Sequence, residues 1–308
     1  MTPSDIPFLN YSTWLRGKLP FPVQKLSVHG GFTCPNRDGT LSKKGCVYCN
    51  NNSFVPNYCQ PRMSVSEQLE AGKQFFRKKH PEMKFLAYFQ SYSNTYAKLS
   101  DLQQKYEDAL SVKDVVGIVL STRPDCLSEP VLEYLQDLAR KTFLILEIGV
   151  ESTDDAMLCN INRGHDFACS VDAVQRAADV HNLIVGIHLI AGLPGTIHSK
   201  EIEAIDVINK LPISLLKLHQ LQIIRDTPLA AQYCDKPFPL FTPDEYLKHV
   251  ADILERLRPD IVMERFLSQS PPDMVIAPQW KMKNHEFTHK LIHYMNANGM
   301  YQGRLWKD

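Results

Sequence analysis

Short apolar runs alternate with amphipathic stretches along most of the 308-residue chain. Residues 25–29, 85–90, 115–122, 143–150, 184–190 and 215–222 are rich in Val, Ile, Leu or Phe and apolar nearly throughout. That pattern predicts strands covered on both faces. The segments between them carry helical periodicity. Ser64-Val65-Ser66-Glu67 predicts a capping box that opens a helix towards His80, and Thr242-Pro243-Asp244-Glu245 predicts another helix start, through about Arg258. Six strand–helix units in regular alternation argue for an α/β protein with a parallel sheet and helices outside it. Right-handed crossovers would curl such a sheet into a full or partial barrel, or leave it doubly wound. We read residues 23–263 as this core and residues 1–22 as an N-terminal lead-in. Residues 264–308, where Pro271-Pro272, Pro278 and Trp280 break the rhythm, read as a short C-terminal extension packed on the barrel.

Thirty-four Lys and Arg balance thirty-four Asp and Glu, leaving no formal net charge. A protein that coats nucleic acid without specificity carries a basic excess, so a polyanionic partner here must meet a local patch. Apolar residues form 44% of the chain, enough to bury a sizeable core and to exclude global disorder. No apolar run nears the roughly 18 residues that span a bilayer, and the start, Met1-Thr2-Pro3-Ser4-Asp5, is not that of a signal segment. The expectation is a cytoplasmic protein without membrane attachment.

In a reducing compartment, cysteines serve metal sites or catalysis more readily than disulfides. Four of the eight, Cys34, Cys46, Cys49 and Cys59, crowd into 26 residues after the first expected strand. Cys46-x-x-Cys49 sets two thiolates on one turn, and Cys34 lies eleven intervening residues upstream on the same loop. Three thiolates around a cubane 4Fe–4S cluster would leave one iron open to a small molecule, as three protein ligands leave a catalytic zinc open. The same residues with Cys59 would suit a structural zinc, and a Cys-x-x-Cys pair alone would suit a redox couple. The cysteine spacing by itself leaves these alternatives open.

A three-cysteine loop directly after strand one of a (βα)-repeat barrel resembles the radical S-adenosylmethionine (radical SAM) enzymes. Their usual first spacing has three intervening residues, whereas this chain has eleven. Together with Glu147-Ile148-Gly149-Val150-Glu151-Ser152, Asn162-Arg163-Gly164-His165-Asp166, the stretch from His188 to Gly195 and Ala277-Pro278-Gln279-Trp280, the loop is similar to that of the YhcC/YtqA-type radical SAM proteins. These are relatives of the catalytic radical SAM domain of Elongator. The resemblance implies a partial (βα)6 TIM-like barrel and a 4Fe–4S cluster on Cys34, Cys46 and Cys49. It further implies S-adenosylmethionine chelating the open iron through its amino and carboxylate groups. One electron would cleave its sulfonium bond and give a 5′-deoxyadenosyl radical that abstracts hydrogen. An electron donor such as flavodoxin or ferredoxin is implied with it.

The same resemblance gives further residues their roles. Gln90 and Ser91 stand where similar enzymes hold the methionine amino group. Glu151 stands where they hold the cofactor ribose, and a carboxylate can accept from both ribose hydroxyls. Arg163 stands where they clamp the methionine carboxylate, which a planar guanidinium matches. Gly192 and Gly195 would allow close backbone approach near the adenosine. Tyr92, Arg123 and Asp125 sit at expected strand ends, within reach of a substrate. His165, His188 and His219 have no assigned role: a histidine inside an apolar strand such as Ile187-His188-Leu189 is commonly a satisfied core residue, yet barrel strands point alternate residues into the lumen, so His188, and His219 likewise, could face a substrate. Elongator-like relatives modify the wobble uridine of tRNA, so a tRNA substrate is implied, with remodelling of a carboxymethylaminomethyl group. Lys281, Lys283, Arg304 and Lys307 interleave with Trp280, Tyr301 and Trp306, a grouping suited to stacking over phosphates. Lys73, Arg77, Lys78 and Lys79 form a second basic group that reads as a solvated helix face. A zinc-stabilised RNA-binding module without redox chemistry, and a radical enzyme with a small-molecule or peptide substrate, are the competing readings.

Overall fold

The computed structural model describes residues 5–60, 62–77 and 82–307. Seven strands form one all-parallel sheet: β1 (Val23–Val28), β2 (Lys84–Phe89), β3 (Val115–Thr122), β4 (Phe143–Glu151), β5 (Leu183–Ala191), β6 (Leu215–Gln220) and β8 (Val262–Arg265). They are hydrogen-bonded in that order, so β1 and β8 are the two end strands of a curled half-barrel, and Met263 of β8 also donates its N–H to Leu9 O. A short antiparallel pair, β7 (Ile223–Ile224) and β9 (Val275–Ala277), stands apart. The expected six strands are all present, and β8 adds a seventh. Its four residues end in Glu264-Arg265, too short and too charged to register as a strand by pattern.

Period-two alternation sorts each strand into two faces. Leu144, Leu146, Ile148 and Val150 of β4 belong to the large cluster that packs against the outer helices. Ile145 points the other way, joining Leu86, Val119, Leu215 and Val262 in an apolar layer at the barrel floor. That layer is closed from below by the lead-in, where Leu9, Tyr11 and Trp14 pack on it. Two residues further along the strands, the next inward layer is polar: Lys25, Tyr88, Ser121, Glu147, Lys217 and Glu264.

The expected caps form. Ser64 Oγ accepts from Glu67 N, and Glu67 Oε2 accepts from Ser64 N at 2.7 Å. The Thr242–Glu245 box likewise opens helix Pro243–Arg256. Helix Asn284–Ala297 lays Phe287, Leu291, Ile292 and Met295 into the main core. Trp280 packs beside Tyr246 at 5.5 Å between ring centroids and donates Nε1–H to Phe241 O. Among the described residues, no helix is long and apolar enough to cross a membrane.

Candidate active site

The carboxyl ends of the strands surround one cavity, where chemistry gathers in barrels of parallel strands. Cys34, Cys46 and Cys49 line it from the loop after β1, with Gln90, Glu151 and Arg163. The cysteine loop is tied to the loop after β4 by reciprocal amide bonds. Asn36 Nδ2 donates to Asn162 O at 2.6 Å, and Asn162 Nδ2 donates to Gly45 O at 2.7 Å. Val47 N donates to Ile161 O and Leu229 N donates to Val47 O, so the Cys-x-x-Cys turn is held from two sides. The eleven-residue stretch between Cys34 and Cys46 is thus folded back, bringing Cys34 to the cavity that Cys46 and Cys49 share.

Arg163 links this loop to β4. Its Nη1 donates to Cys46 Sγ at 3.6 Å and its Nη2 to Gly149 O at 2.6 Å. The same Nη2 lies 3.4 Å from Glu151 Oε1. Glu151 ends β4 at a bulge with φ +69°, a left-handed backbone that costs a non-glycine residue about 1–3 kcal/mol. Tyr92, with φ +67° after β2, is held in the same way, and Asn51 Oδ1 accepts its N–H. Strain of this kind collects where a site must aim a side chain.

Not every expected residue reaches the cavity. Ser91 is buried beneath the turn that Gln90 opens and does not line it. Gly192 adopts φ +79°, its N–H is taken by Glu201 Oε1, and a Cβ there would strike the Phe241 ring. Its place is a tight turn, away from the cavity wall. Tyr48, between Cys46 and Cys49, lines the cavity and was not singled out by the sequence. Its position inside the cysteine turn is the signal that could have found it. Cys59 does not line the cavity, and its Sγ donates to Ser27 O at 3.4 Å. Four thiolates on one zinc, each at 2.3 Å, must lie about 3.8 Å apart. Among the described residues no three His, Cys, Asp or Glu side chains meet the spacing of a single ion. Cys59, which the zinc reading needs as its fourth ligand, is thus bonded outside the cavity that the other three line.

Residues 34–207 match the radical SAM superfamily and residues 213–297 match the radical SAM C-terminal domain. The chain belongs to the radical SAM superfamily. It is 32% identical over 302 residues to the uncharacterised protein YtqA of Bacillus subtilis, covering 97% of this chain and 92% of that protein. It is 32% identical to protein YhcC of Escherichia coli, over 92% of each chain. The archaeal Methanocaldococcus infernus Elp3 shares the fold, with a TM-score of 0.67 at 16% identity over 92% of this chain and 64% of that one.

Membership in this superfamily implies a 4Fe–4S cluster and S-adenosylmethionine, and the residues present fit both. Arg163 Nε, Arg123 Nη1, Asn36 Oδ1 and His165 Nε2 are buried side-chain atoms with no hydrogen-bond partner. Asn36 and Arg163 already touch Cys46 Sγ, and Arg123 and Asn36 both lie 3.6 Å from where a Gly164 Cβ would stand. Unsatisfied guanidinium donors suit a carboxylate and the sulfurs of an anionic cluster. Arg123 is fixed for this by two bonds to Asp125, at 2.8 and 2.7 Å. Burial pushes the Cys34 thiol up and the Cys49 thiol up to about 11, which keeps both protonated until a metal displaces the proton.

The basic groups outside the cavity are partly absorbed by structure. Trp280 is a packing residue, and Arg304 pairs with Glu255. Lys281, Lys283 and Tyr301 stay exposed. Lys73 is buried and pairs with Glu70 at 2.7 Å, whereas Lys78 and Lys79 lie outside the described residues, and so does His80.

Proposed function

We propose that this radical SAM enzyme acts in the cytoplasm on the side chain of the wobble uridine of tRNA, remodelling a carboxymethylaminomethyl group. One observation supports it above the rest: a single cavity holds the three cysteines and a neutral polar group, His188, His219, Gln220 and Gln222. A heterocycle with polar edges can pair with these four side chains while its faces lie against the apolar Phe54, Ile190, Leu221 and Ile224 of the same lining. The fold shared with the archaeal Elp3 is in keeping with this choice. Electrons would come from a flavodoxin- or ferredoxin-type donor.

Cys34, Cys46 and Cys49 would ligate the cluster. Arg163, supported by Arg123, would hold the methionine carboxylate, and Glu151 the ribose hydroxyls. Bound there, the cluster and S-adenosylmethionine supply one-electron hydrogen-abstraction chemistry. The chain's own residues orient and screen: Arg163 bridges the cysteine turn to β4, and the layers beneath the cavity close it to water from below. Arg163→Ala and Glu151→Ala should keep their iron yet bind S-adenosylmethionine roughly 30- to 150-fold more weakly, the cost of about 2–3 kcal/mol for a lost charge-assisted bond. Equilibrium binding to the reconstituted protein measures this, and unchanged affinity in both variants would remove them from the cofactor site.

The substrate reading is tested by comparing tRNA nucleosides from cells with and without the gene. Accumulation of carboxymethylaminomethyl-uridine at the wobble position supports it. No change there, in an organism that makes that precursor, overturns it. Binding of tRNA to a chain with no net charge must rest on a local patch, and so should weaken steeply with salt.

A further inference from the structure

His188 of β5 and His219 of β6 lie side by side in the lining of the cysteine cavity, ring centroids 5.6 Å apart and tilted by 32°. Their hydrogen bonds fix opposite tautomers. Glu147 Oε2 lies 2.9 Å from His188 Nε2. Glu147 is salt-bridged to Lys25 and Lys217 at 2.7 and 2.6 Å, so it is a carboxylate and can only accept. His188 therefore carries its proton on Nε2 and keeps a lone pair on Nδ1. Arg265 Nη2 lies 3.3 Å from His219 Nε2. A guanidinium can only donate, so His219 Nε2 is the acceptor and its proton is on Nδ1. Among the described residues neither Nδ1 has a partner, and neither is a sealed, unsatisfied atom.

The cavity thus shows one acceptor beside one donor. A carboxylate would need two donors, and an ammonium two acceptors. We propose that His188 and His219 form a paired subsite for the imide edge of a pyrimidine base, a specificity device whose ligand identity rests on the wobble-uridine reading. His219 Nδ1–H would donate to the C4 carbonyl oxygen and His188 Nδ1 would accept N3–H. Holding the C4 carbonyl fixes the adjoining C5, the carbon that carries the side chain to be remodelled. Glu147 and Arg265 act as positioning residues by setting the two tautomers. Burial keeps both imidazoles neutral: the His188 pKa is lowered by burial and then by Lys217, and that of His219 lies well below the usual range through burial, Arg265 and His188.

Nitrogen-15 NMR of the reconstituted full-length protein, labelled at histidine, tests the pair directly. The expected spectrum shows His188 as the Nε2–H tautomer and His219 as the Nδ1–H tautomer. The reverse tautomer at either ring overturns the subsite. Three probes are then titrated: succinimide as a bare imide, uridine, and 3-methyluridine, which lacks N3–H. Succinimide and uridine should shift both Nδ1 signals, and 3-methyluridine should bind at least roughly tenfold more weakly than uridine. Failure of all three to shift the rings overturns the subsite. A response to succinimide without one to uridine keeps the imide subsite and overturns uridine as its ligand. His219→Asn places an amide near the lost Nδ1–H and should keep uridine affinity within roughly threefold, whereas His219→Gln should lose roughly tenfold. Equal loss in both variants, with melting temperatures unchanged, would also overturn the donor role.

Discussion

Replacing Cys34, Cys46 or Cys49 singly by Ala should reduce bound iron from about four atoms per chain to near none, while Cys59→Ala and Cys126→Ala retain it. The contrast follows from placement. The first three line one cavity, on a loop held by the Asn36–Asn162 and Val47–Ile161 bonds. Cys59 donates to Ser27 O, and the Cys126 sulfur lies 3.8 Å from Asp125 Oδ1 on a 3-10 turn after β3. Iron and sulfide analysis of protein purified and reconstituted without oxygen measures the outcome, with circular dichroism confirming that each variant folds. Loss of iron in folded Cys59→Ala would move the ligand set. Stoichiometric zinc in place of iron in the wild-type protein would restore the zinc module.

The largest stability effect is expected at Glu147, at the centre of the half-barrel. Its Oε1 accepts from Lys25, and its Oε2 accepts from Tyr88, Ser121, His188 and Lys217, all between 2.6 and 3.0 Å. Glu264 joins from β8, pairing with Lys25 at 2.8 Å and Lys217 at 3.1 Å. Burial alone would raise the carboxyl pKa, but Lys217 and Lys25 hold it well below the ordinary range. Glu147→Gln leaves two buried ammonium groups sharing one carboxylate, and breaking a buried pair in this way costs about 3–5 kcal/mol. At about 2.1 cal/mol/K of unfolding entropy per residue, that is a fall in Tm of roughly 5–8 °C. The double variant Glu147→Leu/Lys217→Met removes both partners, leaves Lys25 with Glu264, and should recover at least half the loss, because paired charges contribute little over an apolar replacement. A Glu147→Gln protein within about 1 kcal/mol of wild type in chemical denaturation would show that water, not Glu147, balances the lysines.

The six longest strands, the two capping boxes and the three-cysteine loop were legible in the sequence because each depends on neighbours a few residues away. The resemblance to a known superfamily rested on local motifs as well. What stayed hidden depends on distant pairing. A four-residue segment such as β8 becomes a strand only because β6 offers it an edge. Glu147 opens one of the stretches that carry the resemblance, but its partners in the barrel are remote in sequence: Lys25 lies 122 residues away and Lys217 lies 70 residues away. Trp280 reads as a stacking surface until Tyr246 and Phe241 enclose it. Local composition fixed which segments would be strands and helices. Which of their polar side chains face a ligand, and which are spent neutralising one another inside the barrel, was decided by the curl of the sheet, because burying a charge is tolerable only beside a partner that the chain supplies from elsewhere.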